Sequence, residues 1–269
     1  MESSDFNRTL VKSGQIVDLM RPMVSALNKS GFYYSIRFDM HNWAAARLTL
    51  DPNHRVVMPT FDPFVCDQST SYWIDVKTND GETVAIIAAR RFDTPDFAEL
   101  MASGKIWADE PKHGRLKLAL PDDFSMGGSI LYRGGLCVKK SHRKTGLSWI
   151  LPRMVSLLSI DQGIDYTVSH NLADLVGSGF TTRVYGHSHF ALCFDGTEYF
   201  PPTADCRKAY LVWTGLDDCI ALARRDYEIF VGSGDEDLSD LAILAQGPSQ
   251  VEVTPSVARP DFGGQRQTG

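Results

Sequence analysis

The clearest alternation of apolar and polar positions lies in the first half of the chain. Tyr72-Trp73-Ile74-Asp75-Val76-Lys77 alternates with a period of two, Asn79-Asp80-Gly81 supplies turn residues, and Val84–Phe92 is rich in apolar residues. This pattern predicts a β-hairpin. A different period opens at Leu147. Leu147, Ile150, Leu151, Met154, Val155 and Leu158 recur at the three- and four-residue spacing of one helix face, and Gly163 marks its end. Ser129–Val138 before this helix and Ile164–Val168 after it are short and apolar, as strands are. A strand–helix–strand unit of this length predicts two parallel strands joined by a right-handed crossover.

The other segments give weaker patterns. Ile16, Val17, Met20, Met23, Val24 and Leu27 share a helical face, which Pro22 should kink or split and Gly31 should end. Phe32–Phe38 reads as extended, and Asn42–Leu50 as a helix capped by Asn42. Residues 51–70 hold three prolines and no period, and read as loop. Thr94-Pro95 opens a short helix that Gly104 closes. Asn171–Gly179 predicts another short helix, Val184–Phe194 and Ala209–Trp213 a last antiparallel pair, and Leu216–Phe230 a longer helix. The stretch Asp93–Gly127 is too long for a simple connection. It reads either as an insertion near a substrate entrance or as cover for an exposed sheet edge. Leu238–Leu244 predicts a short docking helix, and the last twenty residues, poor in apolar surface, read as a flexible tail.

Candidate chemistry concentrates in the turn that joins Ser129–Val138 to the helix. A helix N-terminus exposes unpaired N–H groups and a positive dipole end. Here those groups are surrounded by Lys139, Lys140, His142, Arg143 and Lys144, with Gly146 and Ser148 as small positions where a ligand can come close. The combination describes an anion site, most naturally for phosphate. The same residues also suit a solvated basic face with a Gly/Ser cap.

Composition narrows the classes. The 269 residues bury a core readily, and 43% apolar with 22% charged residues describe an ordinary globule. A net charge of −6 argues against a protein held to nucleic acid by backbone phosphates. The five cysteines are an odd number without C-x-x-C spacing, which is neither a disulfide framework nor a zinc ribbon. The first residues hold an early acid and no apolar run, and no stretch is long enough to span a bilayer, so the expected location is the cytoplasm, with no membrane partner.

Within this frame Val138–Ser148, VKKSHRKTGLS, resembles the acyl-CoA-binding motif of the GNAT (Gcn5-related N-acetyltransferase) superfamily. That motif is Gln or Arg, two residues, Gly, one residue, then Gly or Ala. Arg143, Lys144-Thr145, Gly146 and Leu147 follow it without a gap, and Ser148 departs from it. Gly179-Phe180 looks like the pair that closes the family's next helix. The resemblance is specific over residues 129–181 and looser over 71–92 and 182–214. It implies one α/β domain over residues 1–231: a mixed, mostly antiparallel sheet with one parallel pair and helices on both faces. Residues 1–70 would be a helical N-terminal extension, 93–127 an insertion and 232–269 a C-terminal extension.

The resemblance also implies an activity: transfer of an acyl group, most naturally acetyl, from acetyl-CoA to the amine of a small molecule or protein, without a metal. The pantetheine arm would lie along Leu136, Cys137 and Val138, one backbone N–H of which would polarise the thioester carbonyl. The diphosphate would rest on the N–H groups of Arg143, Lys144, Thr145, Gly146, Leu147 and Ser148. Asn171 would bond the pantetheine amides, or cap its helix. The oligomeric state is left open by the sequence, a homodimer included.

Proton transfer is less defined. Many family members carry a tyrosine four residues before the Gly of the Gly-Phe pair, and here that position is Leu175. His170 is the first substitute as acid or base, against a helix-capping or surface role. Tyr185 is the next, against an ordinary strand tyrosine. Cys137 admits an acyl-enzyme, against a small buried hydrophobe. His187, His189 and Cys193 share a strand face without a fourth ligand. The missing tyrosine keeps open a second class of function, a non-catalytic module of the same fold that binds acyl-CoA or serves regulation or assembly. The basic turn also admits another phosphate ligand, such as a nucleotide.

Overall fold

The computed structural model describes residues 16–51, 58–107, 114–233 and 236–246. Its strands are β1 (Phe32–Arg37), β2 (Ser71–Thr78), β3 (Thr83–Thr94), β4 (Gly128–Val138), β5 (Tyr166–Leu172), β6 (His189–Phe200) and β7 (Asp205–Gly215). Its helices are α1 (Ile16–Lys29), α2 (Met40–Leu50), α3 (Phe97–Ala102), α4 (Leu147–Asp161), α5 (Ala173–Gly177), α6 (Phe180–Arg183), α7 (Leu216–Gly232) and α8 (Leu238–Gln246). The strands form a single sheet in the order β1-β2-β3-β4-β5-β7-β6. Among the described strands only β4 and β5 run parallel; every other neighbouring pair is antiparallel. The predicted hairpin is β2–β3, and the predicted strand–helix–strand unit is β4–α4–β5.

Element boundaries shift where a local bond competes with the sequence signal. Asp39, not Asn42, caps α2 by accepting from the N–H groups of His41 and Asn42, so the helix opens at Met40. Asp96 caps α3 through the N–H of Glu99, at 3.0 Å, in place of Thr94. Asn171 opens no helix, because β5 stays paired with β7 as far as Leu172 and Ala209. β6 starts only at His189. The backbone before it turns, with the N–H groups of Gly186 and His187 donating to Thr182 and Thr181. Pro22 sits inside an unbroken α1. Phe32–Arg37 is an edge strand of the sheet, with Phe32 opposite Thr78 and Arg37 opposite Trp73 on β2. The tail beyond residue 246 lies outside the described residues.

Alternate residues of the strands feed two cores, one on each face. Tyr72, Ile74, Val76, Ala85, Ile87, Ala89 and Leu131 pack with α1, α4, α7 and α8. Trp73, Ile86, Ala88, Ile130, Tyr132 and Val168 pack with α2, Phe61, α3 and Trp107. The described part of the segment 93–127 therefore covers the second face. It also borders the edge strand β6, where the N–H of Ala119 donates to Cys193.

The sequence marks one apolar face on α4, yet the helix is buried nearly all round. It lies under the sheet and is enclosed by α1, α7 and α8, so its polar residues had to find buried partners. Arg153 does so through Asp226 on α7, with Nε donating to Oδ2 at 3.2 Å and both side chains almost wholly buried. Burial raises the Asp226 carboxyl, and Arg153 opposes that rise.

Candidate functional site

β4 and β5 pair over three residues only: Ile130 with Tyr166, Leu131 with Thr167 and Tyr132 with Val168. Beyond this point β4 stays with β3 up to Val138, and β5 stays with β7 up to Leu172. The two strands part, and the facing backbone edges of 133–138 and 169–172 have no ladder partner in each other. A bulge sits where β4 departs. Ala88 faces Gly134 and Ile86 faces Cys137, so β4 carries one extra residue there. Gly135 supplies it with φ +61°, a left-handed conformation natural to glycine. Gly134 and Gly135 in consequence both face the second core. A Cβ at Gly135 would stand 2.5 Å from Trp43, and one at Gly134 3.1 Å from Phe61.

The opening holds a cavity of about 200 Å³ that reaches both faces of the sheet. Arg133, Gly134, Gly135 and Leu136 form its β4 wall, and Ser169, His170 and Asn171 its β5 wall. Pro152, Leu175, Tyr185 and His187 line it on the α4 face, with Arg47 and Met58 on the α2 face. Arg133 is buried and has no carboxylate partner among the described residues. Its donors go to Pro152 O and Ser156 Oγ, both at 2.8 Å, to Tyr185 O at 2.6 Å, and to His187 Nε2 at 2.9 Å. Burial lowers its pKa to about 10, so it is still a cation at neutral pH. His187 must accept at Nε2, which leaves its proton on Nδ1, facing Thr214 Oγ1 at 3.3 Å. Burial first, then Arg133 and Arg153, hold this imidazole neutral.

At the end of β4 the chain enters the basic turn. Lys139 pairs with Glu82, and Thr145 Oγ1 donates to His142 O at 2.8 Å. The exposed side chains of Lys140, Arg143 and Lys144 make no ion pair or hydrogen bond among the described residues. Lys144 has φ +68°, rare for a residue with a side chain, and Gly146 has φ +82°. No side chain caps α4, and the carbonyl of Gly146 takes the N–H groups of Trp149 and Ile150. Among the described residues the backbone N–H groups of Lys144, Thr145, Gly146, Leu147 and Ser148 have no acceptor. Five donors at a helix N-terminus, flanked by three unpaired cations, form an anion cradle. Gly146 serves a second purpose that the sequence did not reveal. A Cβ there would lie 2.4 Å from the carbonyl oxygen of Leu238, so glycine is what allows α8 to dock.

The candidate proton-transfer groups fall on opposite sides of the cavity. His170 Nδ1 meets Tyr132 OH at 3.0 Å, while its Nε2 is buried without a partner. The ring lies among Trp107, Phe194 and Phe200, and burial holds its pKa down to about 3. Tyr185 lines the α4 side; burial raises its phenol and Arg133 opposes the rise. Leu175 lines the cavity as an apolar residue. Asn171 is buried and donates from Nδ2 to Thr181 Oγ1 at 2.8 Å, so it ties β5 to α6.

Cys137 faces the second core, and burial pushes its thiol up, which disfavours the thiolate. Arg47 Nη1 approaches its sulfur at 3.4 Å. His189 pairs with Asp218, and Cys193 is a buried thiol. Among the described residues no group of three or more His, Cys, Asp or Glu side chains could hold a metal, and no helix is long and apolar enough to cross a membrane. The sequence reading missed Arg133 and Arg47. The signal for Arg133 was a charge inside an apolar strand; Arg47 gave none, because a cation on a short helix is ordinary.

No family model and no curated protein matches the chain. Solved structures do. The chain is similar to Arabidopsis thaliana NAA60 in complex with acetyl-CoA, at 13% identity and TM-score 0.42 over 69% of this chain and 99% of that one. It is similar to FeeM, an N-acyl amino acid synthase from uncultured soil microbes, at 14% identity and TM-score 0.43 over 72% and 97%. A GNAT-family acetyltransferase from Staphylococcus aureus matches at 12% identity and TM-score 0.38 over 68% and 99%. The described sheet has the arrangement expected from the resemblance of Arg143–Ser148: mixed, mostly antiparallel, and opened at the parallel pair β4–β5.

Proposed function

We propose that the chain is an N-acyltransferase that takes an acyl group from acyl-CoA and delivers it to an amine across the opened β4–β5 pair. The observation that carries this reading is the run of unpaired amides from Lys144 to Ser148, placed next to the open edge of β4. The cradle suits a diphosphate. The edge of Leu136, Cys137 and Val138 suits a chain of amides that pairs like an added strand. Acetyl-CoA would supply an activated carbonyl and a thiolate leaving group. Trp43 and Phe61, pressed onto Gly134 and Gly135, narrow the α2 face and favour a short acyl group such as acetyl.

The chain's own residues divide the remaining work. The bulged backbone of β4 holds the carbonyl, and a fixed N–H donor there stabilises developing negative charge. Tyr185, on the side from which the cofactor enters, would protonate the departing thiolate. His170, held neutral, would serve on the acceptor side with its unpartnered Nε2. A pKa near 3 makes it a weak base that passes a proton on rather than storing it.

The test is thermal stabilisation by acetyl-CoA, CoA and ATP, followed by thiol release with an amine panel. This reading expects stabilisation by both CoA forms, none by ATP, and thiol release with at least one amine. ATP acting where CoA does not would overturn it. Stabilisation without release from any amine would favour the non-catalytic binding module, which Leu175 at the usual tyrosine position supports.

A further inference from the structure

The cavity has a charge pattern that speaks to the acceptor. Its described lining holds two charged side chains, Arg47 and Arg133, both cationic, and no Asp or Glu. His170 and His187 are neutral there. The two arginines differ in what they have left to give. Arg133 has Nε and both terminal nitrogens engaged with neutral acceptors, so it is a structural cation that closes the α4 side. Arg47 is only 13% exposed in its side chain, yet it is poorly satisfied. Its Nη1 stands 3.4 Å from the weak acceptor Cys137 Sγ and 3.7 Å from Asp51 Oδ2. Its Nε and Nη2 have no hydrogen-bond partner among the described residues. Asp51 meets this guanidinium through one long ion pair at Nη1, which leaves Nε and Nη2 as donors for a bound anion at a largely buried cavity wall.

The side on which Arg47 stands gives that anion its identity. The diphosphate cradle opens from the N-terminus of α4, in the first core. Arg47 comes from α2, whose buried residues belong to the second core, on the opposite face. A cofactor entering along the β4 edge from the cradle leaves the α2 face to the acceptor. We infer that the acceptor is an amine that also bears a carboxylate, of the α-amino acid class, and that Arg47 is the residue that selects it. The guanidinium would take the carboxylate through its free fork and so hold the amine at the β4 bulge. This inference rests on the acyltransfer reading and narrows its acceptor.

The experiment uses the full chain and matched pairs of compounds: the twenty free amino acids and their α-carboxamides, with acetyl-CoA as donor and thiol release as readout. CoA binding is measured separately by calorimetry. The expected result is at least one amino acid consumed about tenfold to a hundredfold faster than its amide, the scale of a charge-assisted hydrogen-bonded pair. In Arg47→Gln that preference should fall to within about threefold, mainly through KM, with the Kd for CoA unchanged. Amides and simple amines consumed as well as the acids, or no acid consumed faster than its amide, would overturn the inference while leaving CoA binding intact. A weakened CoA affinity in Arg47→Gln with an unchanged acid preference would also overturn it, and would assign Arg47 to the cofactor. Absence of CoA binding by the unaltered chain would defeat the underlying reading itself.

Discussion

Replacing Gly146 with alanine adds one methyl group at the junction of the anion cradle and α8. Gly146 has φ +82°, which costs an L-residue about 1–2 kcal/mol. The new Cβ would also stand 2.4 Å from Leu238 O and 2.9 Å from Leu238 C. Those are backbone atoms, which cannot rotate aside, so α8 must move. Its docking buries Leu238, Leu241 and Ala242 in the first core. Each leucine is worth about 1.5–3 kcal/mol on burial, and the ordering of a nine-residue helix offsets part of that. The expected net loss is about 2–4 kcal/mol in urea unfolding. It should come with faster proteolysis near residues 233–247 and with CoA affinity reduced far less than stability, since the amides are retained. A midpoint within about 0.5 kcal/mol of the original, the ordinary scatter of surface substitutions, with unchanged proteolysis, would refute the reasoning.

Other predictions follow from the same geometry. The double variant Arg143→Glu, Lys144→Asp changes exposed side chains without partners, and aspartate tolerates the left-handed backbone at 144. It should keep the melting temperature and weaken CoA binding at least tenfold at low salt, with a smaller effect at high salt; calorimetry at two ionic strengths checks this. Asp226→Ala strands Arg153 in the core and should cost about 3–5 kcal/mol by chemical denaturation. His170 and His187 are both held below the ordinary histidine pKa, so the unfolded chain binds more protons as pH falls. Their contribution to stability is complete above about pH 6.5 and should fall as the pH drops toward about 3, where His170 would titrate in the fold. Each histidine steepens the slope by up to about 1.4 kcal/mol per pH unit, and His170→Asn should flatten it in denaturation curves taken between pH 4 and 7.

Much of the fold could be read from periodicity because the strongest signals are local. The β2–β3 alternation and the β4–α4–β5 unit need only their own residues to be recognised, and both hold their predicted places. What escaped was set by contacts distant in sequence. Gly135 looks like one more glycine until β3 supplies the register that makes it a bulge. Arg153 looks like the polar face of an amphipathic helix until Asp226, more than seventy residues later, encloses it. Gly146 carries the motif, yet its contact with Leu238 belongs to a helix whose docking place no local pattern announces. Asp39 and Asp96 displaced Asn42 and Thr94 as caps because capping depends on where the backbone turns, which residue type alone leaves open. In the site itself the basic turn at the start of α4 and Tyr185 could be read, while the cavity lining by Arg47 and Arg133 required the strands to be seen parting.

The most direct test of the account is the amide spectrum of an isotopically labelled, perdeuterated chain titrated with CoA. The N–H signals of Lys144, Thr145, Gly146, Leu147 and Ser148 should move downfield and saturate together, as donors do on meeting a diphosphate. Signals that stay in place at saturating CoA, or shifts confined to other parts of the sheet, would contradict it.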